Sequence, residues 1–123
     1  MAALCILALR TSDSVEVRSL DNPDGKWEFG DGSSRAAVQF AEGFAIGRGV
    51  YQPGWRWSLH AKRSSEATAE RHIGFVVSGR MLVEGADGAQ RTVGPGEAFI
   101  AQAGHDAWVV GDEPCVALDF IAG

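Results

Sequence analysis

Residues that favour tight turns interrupt this chain about every eight to twelve positions and leave only short apolar segments between them. The turn sequences include DNPDG, QPG, ADG, GPG and GDEP, and the chain has 16 glycines in 123 residues. Segments this short suit β-strands, because helices in globular proteins are on average about twice as long as strands. The spacing therefore predicts a single all-β domain of sandwich or barrel type, and we find neither an internal repeat nor a convincing amphipathic helix.

The segments between these turns are predicted to be strands. They are Val15–Ser19, Ala37–Phe40, Phe44–Tyr51, Trp55–His60, His72–Val77, Arg80–Glu84, Arg91–Val93, Ala98–Ala101, Ala107–Val110 and Cys115–Ile121. We expect residues 44–123 to form a barrel, and residues 1–43 to be an N-terminal extension with lead-in strands that pack on it. Within that extension, Asp21–Ser34 reads as a loop that Trp27 and Phe29 hold to the body.

Composition and charge narrow the class of partner. The formal net charge is −5 and the isoelectric point is near 5.1. No basic surface is available to neutralise phosphates, which argues against nucleic acid or an anionic membrane as a partner. The two cysteines, Cys5 and Cys115, do not form a metal-type pair, and Cys115 in the run CVALDFI is expected to be a buried free thiol. These features indicate a cytoplasmic protein.

The N-terminus, MAALCILAL, is apolar but too short to span a bilayer. It lacks the basic start of a secretory signal, and the residues after it form an indifferent cleavage site. We expect an added strand or helix that packs on the barrel or on a partner subunit, or else a poorly ordered leader.

The three histidines of the chain all fall within or beside two segments, PGWRWSLH and GPGEAFIAQAGHDAW, and the strand-rich stretch between them. His60 ends the first segment, His72 begins the middle stretch, and His105 lies in the last segment. Imidazole is the commonest metal ligand in proteins and the usual acid or base near neutral pH. Histidines concentrated on predicted strands in this way indicate a shared pocket.

The order of these features resembles the cupin superfamily of small jelly-roll barrels. The first cupin motif is Gly, five residues, His-x-His, three or four residues, Glu, six residues and Gly. Gly54 and His60 have its spacing, and Lys62 stands at the second His position. Counting forward from Lys62 places the motif's Glu at Glu66, whereas counting back from Gly79 places it at His72. The strand pattern favours His72, because Glu66 lies in the polar run KRSSEATAE, which reads as an enlarged loop.

The second cupin motif is Gly, five residues, Pro-x-Gly, two residues, His, three residues and Asn. Gly96 and Gly104 fit it, whereas the other three positions hold Gln102, Ala107 and Gly111. His105 lies two positions before Ala107. Because residues two apart on a strand share a face, His105 is still expected to project into the barrel.

The resemblance covers roughly residues 44–121 and implies a cupin-type jelly-roll barrel (a double-stranded β-helix) that holds one divalent metal. It implies His60, His72 and His105 as the metal ligands, and three imidazoles suit Zn, Fe, Ni, Mn or Cu. Gly74 shares the face of His72 and should leave open space beside it.

Other residues could line the pocket. Strand alternation places Arg56, Ser58 and His60 on one face, with Arg56 able to meet an anionic substrate or to form a salt bridge at the rim. Trp108 could line the pocket mouth, although packing in the core or at an interface is the alternative. Glu66 and Glu70 could each supply a carboxylate, or could be solvated loop acids. Asp106 should face away from His105 and act in a turn or at a dimer contact.

Three functions follow as alternatives. The first is a metal-dependent cupin enzyme that acts on a small organic molecule in the barrel pocket. The second is a non-catalytic or regulatory module that binds a small ligand without metal. The third, a structural partner of another protein, rests on the apolar N-terminus and the tryptophans. The resemblance also implies a homodimer, which would cover exposed strand edges and the apolar segment Ala2–Leu9.

Overall fold

The computed structural model describes residues 14–61 and 71–121, which form nine β-strands and one π-helical turn. The turn covers Trp57–Ala61 and follows the third strand. The strands are β1 (Gly25–Glu28), β2 (Ser34–Gln39), β3 (Ala45–Tyr51), β4 (His72–Ser78), β5 (Met81–Glu84), β6 (Gln90–Val93), β7 (Ala98–Ala101), β8 (Asp106–Val109) and β9 (Cys115–Ile121).

The strands form two antiparallel sheets. The larger sheet has the order β1-β2-β3-β9-β4-β7, and the smaller has the order β6-β5-β8. The chain passes from the larger to the smaller sheet between β4 and β5, returns at β7, and crosses again to β8 before β9 completes the larger sheet. This is a jelly-roll arrangement, and the all-β prediction is confirmed. The two sheets are not joined edge to edge into a closed barrel within the described residues.

The core lies between the two sheets. Val76 on β4 and Cys115 on β9 are fully buried, and Trp55 is 4% exposed. The ring of Trp55 packs on Tyr51 with the ring centroids 4.2 Å apart. Cys115 is a free thiol, as predicted, and burial raises its pKa to about 11. Along β9, the inward-facing residues run from the buried Cys115 to Asp119 and Ile121, which line a cavity between the sheets.

Eight predicted strands, β2 to β9, are observed with bounds shifted by at most three residues. Two predictions are wrong. Trp55–His60 is not a strand: Arg56 makes one isolated bridge to Trp108, and the chain then enters the π-helical turn. Val15–Ser19 is not a strand either, because its Val15 and Val17 side chains stay in solvent and no strand pairs with it.

One strand was not predicted. β1 lies inside the segment read as a loop, and it pairs with β2 along its full length, from Gly25 opposite Ala37 to Glu28 opposite Ser34. Its Trp27 ring lies under the guanidinium of Arg35, 4.9 Å from Cζ to the ring centroid. β1 and β2 thus extend the same sheet as β3. The apolar segment Ala2–Leu9 lies outside the described residues, and no helix in the described part of the chain is long and apolar enough to cross a membrane.

Candidate functional site

A cavity of about 470 Å³ opens between the two sheets. Its walls are mainly aromatic and apolar, with two separate groups of polar side chains. The histidine group consists of His60, His72 and His105, and the second group consists of Arg35, Asp119 and Tyr51. The rings of Trp27, Phe29, Trp55, Trp57 and Phe99 also line it, together with aliphatic side chains and the exposed Glu28.

His72 and His105 meet inside this cavity. His72 is the first residue of β4, and His105 immediately precedes β8, so the two sheets bring together rings that are 33 positions apart. His105 is 4% exposed, and its Nδ1 lies 2.8 Å from the carbonyl oxygen of Gln102. A carbonyl can only accept, so Nδ1 of His105 carries a proton and Nε2 of the neutral ring presents its lone pair. That Nε2 lies 3.2 Å from Nδ1 of His72.

His60 lines the same cavity from the π-helical turn. Its Nδ1 lies 3.0 Å from the backbone nitrogen of Arg56 and 3.2 Å from the Arg56 carbonyl oxygen. The first contact requires a lone pair on Nδ1, and the second requires a proton there, so the same ring position suits either tautomer. Among the described residues, no three His, Cys, Asp or Glu side chains are grouped closely enough to hold a metal ion.

The structure places Arg56, Ser58 and Trp108 around Asp106, outside the cavity, so Arg56 takes the salt-bridge alternative of its two predicted roles. Asp106 accepts hydrogen bonds from Nε of Arg56 at 2.8 Å, from Oγ of Ser58 at 2.8 Å and from the Ser58 backbone at 3.1 Å. The Arg56 guanidinium also stacks on the Trp108 ring, 4.2 Å from its centroid. These side chains do not line the cavity. The predicted strand face is wrong because the chain forms a π-helical turn from Trp57 onwards instead of remaining extended.

The hydrogen bonds of Asp106 to the π-helical turn were not predicted from the sequence. Its partial burial raises its pKa, but the hydrogen bonds from Ser58, Arg56 and the Ala107 backbone outweigh burial and hold the pKa below its ordinary value. The carboxylate ties the π-helical turn to β8, so it fixes the backbone that carries His60 beside the strand that follows His105.

The second polar group was also missed. Arg35 on β2 and Asp119 on β9 form a two-pronged ion pair, with Nε–Oδ2 at 2.9 Å and Nη2–Oδ1 at 2.6 Å. The hydrogen bond to Asp119 raises the Arg35 pKa against the effect of burial. Burial, followed by the charge of Asp119, raises the Tyr51 pKa above its ordinary value. An available signal was Asp119 itself, a charged residue at an inward position of the apolar run CVALDFI.

Gly74 does not leave the open space that was expected beside His72. A Cβ atom at this position would lie 2.5 Å from the ring of Phe99, so the aromatic side chain from the neighbouring strand fills that volume. Lys62, Glu66 and Glu70 lie outside the described residues. The alternative between Glu66 and His72 at the motif's Glu position therefore stays a prediction.

Comparison with solved structures supports the fold. KdgF from Halomonas sp. is 22% identical, with 78% of this chain and 84% of that chain covered and a TM-score of 0.57. An RmlC-like cupin from Shewanella frigidimarina is 18% identical, with 86% and 89% covered and a TM-score of 0.62. A sugar phosphate isomerase from a cupin superfamily, from Silicibacter pomeroyi, is 19% identical, with 73% and 59% covered and a TM-score of 0.54.

The comparison with curated proteins gave no match. The family model for the cupin domain matches residues 50–121, which is more than half of the chain and includes all three histidines and Asp119. The jelly-roll topology and the structural neighbours agree with that match. The chain belongs to the cupin family.

Proposed function

We propose that this cupin is a metal-dependent enzyme that acts on a small organic molecule in the cavity between its sheets. The observation that carries the proposal is the approach of His105 Nε2 to His72 Nδ1 at 3.2 Å. Metal–imidazole bonds of about 2.0–2.1 Å place two ligand nitrogens of one ion roughly 3 Å apart. The Gln102 carbonyl also fixes the His105 tautomer as a backbone carbonyl does for a metal-ligating histidine.

His60 is the proposed third ligand. In the tautomer that donates from Nδ1 to the Arg56 carbonyl, its Nε2 presents a lone pair without any movement of the ring. The nitrogen positions of His72 and His105 therefore suit a divalent transition metal when His72 takes the tautomer with a lone pair on Nδ1, and His60 suits it in the tautomer that donates from Nδ1. Zn, Fe, Ni, Mn and Cu all accept imidazole ligands. When bound, such an ion would polarise an oxygen atom of the substrate.

The first test is the metal content of the native protein. After loading with each candidate divalent ion and removal of excess, we expect elemental analysis to give about one ion per chain for at least one metal. Binding requires neutral imidazoles, so the content should fall as the pH drops through about 6.5, where free imidazole protonates. No retained metal under any of these conditions would contradict the proposal.

A specific observation favours the alternative of a metal-free binding module. The described residues contain no group of three potential metal ligands, and His72 and His105 already satisfy each other through one hydrogen bond. In that state the Nδ1 protons of both rings are used in hydrogen bonds, and Nε2 of His72 is an acceptor nitrogen. A protein that retains no metal but binds small molecules in the cavity would establish this second function.

We also propose a cytoplasmic homodimer, supported by an apolar row on the outer face of the larger sheet. Ile73 lies opposite both Ile100 on β7 and Phe120 on β9, and paired residues point to the same side. The three side chains are 39%, 57% and 40% exposed, respectively. Contiguous exposed apolar surface is a feature of protein–protein contact sites. The free thiol of Cys115 agrees with a reducing compartment.

The dimer is tested by sedimentation at micromolar concentration. We expect a species of twice the 13.0 kDa chain mass. Ile100→Lys should give the monomer, because it replaces the most exposed side chain of the apolar row by a charged one. Val17→Lys is the matched control, since Val17 is 85% exposed and lies away from that row. A native protein that sediments only as the monomer would contradict this assignment.

A further inference from the structure

The polar group formed by Arg35, Asp119 and Tyr51 lies on the same wall of the cavity as His72. Asp119 on β9 is directly opposite Gly74 on β4, and His72 is two residues before Gly74 on the same face. Diagonal neighbours of this kind have Cα atoms about 7–8 Å apart. A single small molecule that touches His72 can therefore also reach the Arg35–Asp119 pair.

Two glycines on β3 make room for this group. A Cβ atom at Gly47 would lie 2.4 Å from Nη2 of Arg35 and 2.7 Å from Oδ1 of Asp119. A Cβ atom at Gly49 would lie 2.2 Å from the Tyr51 hydroxyl. The ion pair and the phenol therefore lie close over the bare backbone of β3, with the cavity on their other side. The sequence IGRGVY builds this corner of the cavity.

The corner offers both donors and acceptors while its charges cancel. The Tyr51 hydroxyl and Nη1 of Arg35 make no hydrogen bond to another described residue, and the carboxylate oxygens of Asp119 keep lone pairs beyond those used by Arg35. An anionic ligand group would meet the Asp119 charge, and a cationic group would meet the Arg35 charge. A hydroxyl group, which both donates and accepts, fits without breaking the ion pair.

We propose that this corner makes the cavity selective for an uncharged, hydroxyl-bearing ring compound. The ring contacts the aromatic wall formed by Trp55, Phe29 and Phe99, and its hydroxyl binds at the Arg35–Asp119–Tyr51 group. The inference rests on the proposed function only in using the same cavity, since it holds whether or not a metal occupies the histidine group. It makes Asp119 and Tyr51 determinants of specificity.

The experiment compares three probes that share one ring: phenol, toluene and phenyl phosphate. Ligand-observed NMR titration should show phenol binding about tenfold more tightly than phenyl phosphate. Phenol should also bind about three- to tenfold more tightly than toluene, because one or two net hydrogen bonds give a difference in affinity of that size. Tyr51→Phe should reduce the preference for phenol over toluene by about threefold.

Asp119→Asn is the decisive variant. It leaves Arg35 charged and without its carboxylate, so the preference for phenol over phenyl phosphate should shrink by about tenfold or reverse. Asp21→Asn is the matched control, because Asp21 pairs with Arg48 on the solvent side of the same sheet, with 87% of its side chain exposed. Circular dichroism establishes that each variant keeps the fold.

Three outcomes would overturn the inference: tighter native binding of phenyl phosphate, equal binding of phenol and toluene, or variants that change nothing. The last means that Asp119→Asn keeps the preference for phenol over phenyl phosphate and Tyr51→Phe keeps the preference for phenol over toluene. Failure of all three probes to bind would overturn it as well. Metal content measured on the same samples reports separately on the histidine group. Loss of selectivity with metal retained contradicts only this inference, and selectivity without metal contradicts only the metal proposal.

Discussion

Replacement of His72 or His105 by alanine is expected to remove nearly all bound metal from the protein. Each substitution deletes one of two nitrogens that already lie 3.2 Å apart, so only one member of this pair and His60 remain of the three proposed ligands. The loss in affinity should exceed the roughly 10–100-fold reduction that follows removal of an outer-shell partner. Elemental analysis after dialysis against a weak chelator measures the effect.

The other substitutions in this series should rank below these two. His60→Ala should lower metal affinity less, because metal binding through His60 costs the contact between its Nδ1 and the Arg56 backbone nitrogen. Glu66→Ala should have little effect if His72 occupies the motif's Glu position. The reverse ranking, with metal lost from Glu66→Ala and kept by His72→Ala, would show that Glu66 is the ligand and that the loop before His72 folds inwards.

The meeting of His72 and His105 could be predicted from the sequence because both residues lie at strand ends. The alternation of apolar residues along each strand determines the face on which each side chain lies. β4 carries His72 at its start and the fully buried Val76 on the same face, so the direction of His72 follows from that of Val76. The displacement of His105 by two positions preserved its face, as the alternation rule requires. This half of the site depends on local patterns alone.

The position of His60 could not be foreseen in the same way. The sequence WRWSLH alternates as a strand would, yet Arg56 and Ser58 bond to Asp106, which is some 50 residues further along the chain. These hydrogen bonds and the stacking on Trp108 favour a coiled backbone over an extended one. Local alternation carries no information about a partner so distant, so the predicted strand face was wrong although the residue still reached the cavity.

The same reasoning explains the unpredicted β1 and the second polar group. GKWE is polar and follows a strong turn signal, and it becomes a strand because it pairs with β2 and its Trp27 lies against Arg35. Arg35 and Asp119 are 84 positions apart in sequence. Their pairing depends on β3 lying between β2 and β9 with a glycine at the crossing, a fact of topology that no local pattern contains.

Gly79→Ala should produce the largest loss of stability among the glycine substitutions outside the cavity. Gly79 has φ = +73°, and a Cβ atom there would lie 2.2 Å from the Pro114 carbonyl oxygen and 2.7 Å from Cα of Cys115. Both atoms belong to the backbone and cannot rotate away. The left-handed conformation costs an alanine about 1–2 kcal/mol, and overpacking adds about 1–3 kcal/mol, so a total of about 2–5 kcal/mol is expected.

Gly88→Ala is the matched control for this effect. Gly88 has φ = +86° in the turn between β5 and β6, but a Cβ atom there meets nothing within 4 Å. It should therefore lose only the conformational part, about 1–2 kcal/mol, as measured by urea unfolding of both variants. Equal losses would show that the backbone of Pro114–Cys115 does not constrain Gly79. A larger loss of stability for Gly79→Ala would give a physical reason for the glycine that ends the first cupin motif. At this glycine the chain leaves the larger sheet for the smaller one and passes directly against the start of β9.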